Sequence, residues 1–175
     1  MNREFPTSVM GPYEPPPREF TDKQGRTIEI HRFDGEVESL IDMYLEFNPE
    51  DRAQGIPPSS EDRITSWIEN LLREECINVV AWYENEIVGH ATLVPDQSNG
   101  YELAIFVIRD YQESGIGTEL IKALLGAGYE DNIKKVWLSV ERWNDAAINL
   151  YRKVGFEPMD SGSFELEMAG RIRES

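Results

Sequence analysis

Residues Ile108 to Leu125 read IRDYQESGIGTELIKALL. The apolar run YELAIFVI, from Tyr101, feeds into this stretch, and an amphipathic run with helical spacing leaves it. Between the two stand Gly115 and Gly117, one residue apart. Glycine loses more backbone freedom on folding than any other residue, so a pair at a strand-to-helix junction implies that the backbone itself approaches something closely. Residues Gln112 to Gly117 are placed to turn successive N–H groups toward one point, and the helix dipole adds positive potential there. That describes an anion site, best suited to a pyrophosphate. It is not the dinucleotide fingerprint G-x-G-x-x-G, because the residue three beyond Gly117 is Leu120. Nor is it a P-loop, since no Gly-Lys-Ser/Thr is present.

Outward from this segment, hydrophobic periodicity predicts the other elements. RTIEIHRF alternates as a half-buried strand, with Ile28 and Ile30 on one face and His31 on the solvated face. EVESLIDMYLEF carries Val37, Leu40, Ile41, Tyr44 and Leu45 at helical spacing and stops at Asn48 and Pro49. A loop with Gly55, Pro57 and Pro58 follows, then a helix capped by Ser59 or Ser60 that aligns Ile64, Trp67, Ile68, Leu71 and Leu72. INVVAWY and EIVGHATLV flank Glu84 and Asn85 as a hairpin, and YELAIFVI extends the antiparallel set. KKVWLSV is a strand, NDAAINLYRKV a helix closed by Gly155, and SFELEM a last strand. This order predicts a mixed α/β (α+β) fold, with a mostly antiparallel central sheet of six to seven strands and helices on both faces. Residues 27–175 read as a single domain. Residues 1–26, with three consecutive prolines, read as an extended arm.

Acidic residues outnumber basic ones 33 to 17, a net charge of -16. This balance argues against nucleic acid, which demands clustered Lys and Arg. It fits either steering of a cationic substrate or a surface adapted to high salt, in the manner of a halophilic protein. No apolar run approaches the roughly 18 residues that would cross a bilayer, and MNREFPTSVM has no apolar signal core. A single cysteine, Cys76, excludes an internal disulfide and fits a cytoplasmic protein. Cys76 reads as structural. No Cys/His/Asp cluster has metal spacing, so no metal is expected.

Gln112-Glu113-Ser114-Gly115-Ile116-Gly117 resembles the Q-x-x-G-x-G motif of the GNAT superfamily of N-acetyltransferases. LSVERWNDAAINLYRKVGFE resembles that family's second signature, N-x-x-A-x-x-L-Y-x-x-x-G-F after a strand, in the right order and spacing. The resemblance covers Tyr101 to Glu157 and weakens back toward Thr27, with the protein lysine acetyltransferases as the similar branch. It implies a sheet splayed between the fourth and fifth strands counted from Thr27, with acetyl-CoA lying in the gap. By the same resemblance, backbone at Phe106, Val107 and Ile108 pairs with pantetheine amides, and one of these N–H groups polarises the thioester carbonyl. The N–H groups of Gln112, Glu113, Ser114, Gly115, Ile116, Gly117 and Thr118 hold the pyrophosphate, Asn144 contacts the cofactor, and Tyr151 stands near its sulfur. Glu113 and Ser114 replace a Gly and a basic residue common in relatives. Glu113 would repel a phosphate unless turned away, with Arg109, Lys122, Arg152 and Lys153 nearby to offset it.

Acetyl transfer from a thioester to an amine needs a base, an oxyanion donor and a proton for the thiolate. Glu102, inside an apolar strand with Ala104 and Phe106 on its face, is the first candidate base, because desolvation would raise its pKa. Glu141 is the second, and Tyr151 the candidate proton donor. His90 shares a face with Val88 and Thr92 and reads as a satisfied core histidine more than as a base. Trp143 is placed to line an acceptor pocket. The acceptor is a primary amine, on a protein lysine, a small molecule or an amino acid; a non-catalytic acyl-CoA-binding module is the rival class. The open edge of a split sheet also suits pairing as a homodimer.

Overall fold

The computed structural model describes residues 3–35, 37–47 and 56–174. Asn48, Pro49 and Gly55, expected to end the first helix and shape the following loop, lie outside the described residues. Among the described residues eight strands form one sheet in the order β1-β2-β3-β4-β5-β6-β8-β7. They are β1 (Arg18–Thr21), β2 (Thr27–Arg32), β3 (Ile77–Tyr83), β4 (Glu86–Pro95), β5 (Tyr101–Val107), β6 (Lys135–Val140), β7 (Glu157–Met159) and β8 (Leu166–Arg171). All neighbours are antiparallel except β5 and β6, which are parallel. Among the described residues the α-helices are α1 (Val37–Leu45), α2 (Glu61–Leu71), α3 (Ile116–Glu130) and α4 (Asp145–Val154).

Helices cover both faces, and each face has its own core. On one, Ile116, Leu120, Ile121, Leu124 and Ala127 of α3 pack with Ile28, Ile30, Val79, Ala91 and Leu93 of the sheet, and α4 adds Tyr151 and Val154. On the other, Leu40, Met43 and Tyr44 of α1 and Ile64 and Ile68 of α2 close over Val80, Ile87 and Phe106. Each fully buried aliphatic side chain contributes on the order of 1.5–3 kcal/mol. Ser60 caps α2 by accepting from the Arg63 amide, as the sequence predicts.

The sheet has one or two strands more than the expected six to seven, and β1 and β7 are the ones not read in the sequence. β1 lies inside the segment read as an arm; four residues are too short to show a period, and only pairing with β2 makes them a strand. Its turn is held by Asp22, whose carboxylate accepts from the Gln24 and Arg26 amides at 2.9 Å and pairs with Arg26 at 2.8 Å. β7 spans three residues, including Pro158, and is a strand only by its pairing with β8.

The rest of the arm is also packed down. The Met10 amide donates to the Arg171 carbonyl at 2.7 Å, and the Tyr13 hydroxyl donates to the Val154 carbonyl at 2.5 Å. Gly126 of α3 lets the arm cross closely, since a Cβ there would lie 2.7 Å from the Tyr13 carbonyl oxygen and the Pro15 nitrogen. Met10 sits over Gly155 and Gly170 on the α3 side of the sheet. Arg3 contacts Glu167, whose strand parity places it on the opposite side.

Candidate active site

β5 and β6 pair only at Tyr101 with Val136 and at Glu102 with Trp137. Beyond that point β5 continues to Val107 bonded to β4 alone, and β6 continues to Val140 bonded to β8 alone. The two parallel strands therefore part after Glu102 and leave a wedge with open β5 backbone along one wall. These are the fourth and fifth strands counted from Thr27. The Ile108 amide donates to the Val88 carbonyl at 3.0 Å, so by parity the amides of Ile108 and Phe106 face β4. Those of Ile105 and Val107 face the wedge. Of the three residues expected to offer amides there, Phe106 and Ile108 are thus turned away, and Ile105 takes a place that sequence alone did not indicate. Strand parity would have found it, but only once the β4–β5 register was known.

Phe106 contributes its side chain instead. Its ring meets Trp67, Tyr44 and Phe47 edge-on at centroid distances of 5.3, 5.6 and 6.3 Å, which fastens β5 to α1 and α2 along the wedge. Beside it, His90 is fully buried. Asn78 donates its amide to the Leu71 carbonyl at 2.7 Å, so its oxygen accepts from His90 Nε2, also at 2.7 Å. His90 Nδ1 is then the acceptor for the Tyr44 hydroxyl at 2.5 Å. Burial pushes the imidazole pKa down to about 3, which leaves it a neutral link between α1, α2 and the sheet.

At the end of β5, a 3-10 turn at Arg109–Tyr111 leads into the glycine loop. Glu113 and Gly115 both hold left-handed conformations, φ +57° and +93°, the alternation that turns neighbouring N–H groups inward as a nest. Ser114 is buried, its hydroxyl donating to the Tyr111 carbonyl and its backbone carbonyl accepting from the Lys23 amide. The Ile116, Gly117 and Thr118 amides precede the first α3 bond, from Glu119 to Gly115. A Cβ on Gly115 would meet nothing within 4 Å, whereas one on Gly117 would touch Leu150 of α4 at 3.3 Å. Gly115 thus serves the open cradle, and Gly117 serves packing between α3 and α4. The Gln112 side-chain amide donates back to the Val107 carbonyl at 2.9 Å, joining the loop to the wedge wall. Glu113 is exposed. Lys122, expected to offset it, pairs with Glu119 at 3.8 Å. Arg152 and Lys153 lie exposed in the last turn of α4.

Glu102 occupies the point where the strands part, on the α1 and α2 side. Its carboxylate has no hydrogen-bond partner among the described residues. Although the side chain reaches solvent, desolvation by the surrounding protein holds its pKa above the usual carboxylate range; Glu167, Asp96 and Glu165 add to this and Arg3 opposes it. Glu141 lies just past the end of β6, where its carbonyl accepts from the Asn144 amide at 2.9 Å. Asn144 caps α4, its oxygen accepting from the Ala147 amide at 3.2 Å while its side-chain NH2 remains to donate. Tyr151 is 9% exposed, and burial pushes its phenol up to about 12. Burial likewise raises the Cys76 thiol, away from nucleophile chemistry. Trp143 stands 75% exposed beyond β6.

The chain belongs to the Acetyltransferase (GNAT) family, whose family model matches residues 37–156. It is 34% identical over 107 residues to an N-alpha-acetyltransferase of Sulfurisphaera tokodaii, covering 52% of this chain and 62% of the relative. It is 31% identical over 75 residues to a spermidine N(1)-acetyltransferase of Escherichia coli, covering 42% of this chain and 40% of that protein. The chain thus spans less than two thirds of either curated relative. In fold it resembles the GNAT domain of S. lividans PAT with a TM-score of 0.74 at 13% identity, covering 88% of this chain and 96% of that one.

Proposed function

We propose that the protein is an acetyl-CoA-dependent N-acetyltransferase that works by direct transfer to a primary amine, with residues 27–175 as the catalytic domain. The observation that carries this reading is the placement of Glu102. An unpartnered carboxylate with a raised pKa stands where the sheet opens, on the same strand as the two wedge-facing amides of Ile105 and Val107. Acetyl-CoA fits the site because the nest at Glu113 to Gly115 and the open α3 amides suit a pyrophosphate, and the β5 backbone suits pantetheine amides.

The co-substrate supplies the activated acyl group, and the chain supplies the rest. An alkylamine, which ordinarily titrates at about 10.4, arrives mostly protonated at neutral pH, and Glu102 takes its proton directly or through water. The Val107 amide is the oxyanion donor, being wedge-facing while its own carbonyl is occupied by Gln112. Tyr151 donates a hydrogen bond to the departing sulfur. Full transfer from a phenol at about 12 to a thiolate whose ordinary pKa is about 8.5 would run uphill by about 5 kcal/mol, so the final proton comes from elsewhere.

The acidic surface favours a cationic acceptor, either a protein lysine or a small polyamine. The test is thiol release from acetyl-CoA against a panel of lysine peptides and free amines. Release with one amine class and loss of its acid limb in Glu102→Gln support the reading. Acetyl-CoA binding without release for any amine would favour a non-catalytic acyl-CoA-binding module.

A further inference from the structure

The family match begins at residue 37, yet the arm before it reaches the floor of the wedge. The Arg3 guanidinium carbon lies 3.4 Å from the Trp137 ring centroid. Its Nε donates to Glu167 Oε1 at 3.0 Å and its Nη2 to Oε2 at 3.3 Å. The two side chains are 18% and 8% exposed, so this planar fork is clamped on an aromatic face rather than waving in solvent. Trp137 is in turn fixed by its indole N–H donating to Asp96 at 2.7 Å, and it is the β6 residue paired with Glu102.

We propose that Arg3 is a positioning residue of the transfer site: clamped between Trp137 and Glu167, it shares the floor of the wedge with Glu102 and governs the charge of that carboxylate. The inference rests on the reading of Glu102 as the base. The groups acting on Glu102 come from three elements. Asp96 belongs to the β4–β5 turn, Glu165 and Glu167 to β8 and its approach, and Arg3 to the arm, with Arg3 the one cation among these described groups. Asp96 is held in its charged form by hydrogen bonds from the Ser98 and Gly100 amides and from Trp137. Glu167 is matched by Arg3 itself. Without the guanidinium, three neighbouring carboxylates would all push Glu102 toward its protonated form, in which it takes no proton from an amine. With it, part of the rise that desolvation gives Glu102 is offset. A segment far outside the catalytic motifs thereby tunes the pH at which the site operates.

The test follows the Glu102 side-chain carboxyl by carbon NMR in the whole protein, alongside the pH profile of kcat/KM for thiol release. Arg3→Gln should move both the NMR midpoint and the acid limb to higher pH. Glu165→Gln, which removes a like charge and leaves the Arg3–Glu167 clamp intact, should move both to lower pH. Arg3→Lys keeps the charge and should restore the wild-type midpoint, which separates charge from mere anchoring of the arm. An unmoved NMR midpoint in Arg3→Gln, or a shift of the same sign in Arg3→Gln and Glu165→Gln, would overturn the inference by itself. A midpoint that moves while the kcat/KM limb stays would remove Glu102 from the mechanism, and the transfer role of Arg3 with it. Because the two variants are expected to differ in sign, loosening of the arm cannot imitate the result.

Discussion

The buried link at His90 makes a quantitative prediction about stability in acid. In the folded protein its pKa is pushed down to about 3 from an ordinary 6.5. The folded state therefore stays unprotonated there while the unfolded chain takes up a proton below pH 6.5. The stabilisation is complete above 6.5 and is lost progressively as pH falls toward 3. At about 1.36 kcal/mol per unit, His90 alone should remove about 2 kcal/mol between pH 7 and pH 5. His90→Gln removes the titration, and it also disturbs the bonds to Tyr44 and Asn78, at about 1–3 kcal/mol near neutral pH. Urea unfolding of both proteins at pH 7 and pH 5 isolates the effect, because contributions of the many surface carboxylates cancel in the difference of differences. The wild type should lose about 2 kcal/mol more than the variant. Equal losses would show that His90 takes up its proton as readily in the fold as in the unfolded chain and would refute the tautomer chain from Tyr44 to Leu71.

Other perturbations address the site and the arm. Glu102→Gln should abolish the acid limb and lower kcat/KM by about 10²–10⁴-fold, read by thiol release at several pH values. Tyr151→Phe should cost no more than about tenfold in kcat, since the raised phenol donates only a hydrogen bond; a far larger loss would restore it as the acid. Gly115→Ala meets no steric obstacle, so a melting experiment should show a cost of about 1–2 kcal/mol from the left-handed backbone, and calorimetry should show weakened acetyl-CoA binding. Gly126→Ala must displace the arm backbone at Tyr13 to Pro15, lowering Tm and, through Arg3, moving the pH profile upward.

The parts of the site legible in the sequence were those where single residues carry geometry. Gly115 and Gly117 marked the strand-to-helix cradle and Gly155 the end of α4, while the split of the sheet was implied by the resemblance of Gln112 to Phe156 to the two family signatures. What stayed hidden depends on pairing between distant segments. β1 and β7 are too short for a period and exist through β2 and β8. The direction of the β5 amides depends on the β4 register, which reversed the roles expected of Phe106 and Ile108 and brought in Ile105. His90 could be placed on a face, but its partners come from α1 and β3. Nothing in MNREF announces that Arg3 lies over Trp137, because that contact spans most of the chain.

Titration of Glu102 by carbon NMR, with and without acetyl-CoA and set against the pH dependence of amine acetylation, tests the central claim most directly. The account predicts a midpoint above the usual carboxylate range in the free protein, coinciding with the acid limb of kcat/KM. A Glu102 midpoint in the ordinary range, or an acid limb that persists unchanged in Glu102→Gln, would contradict it.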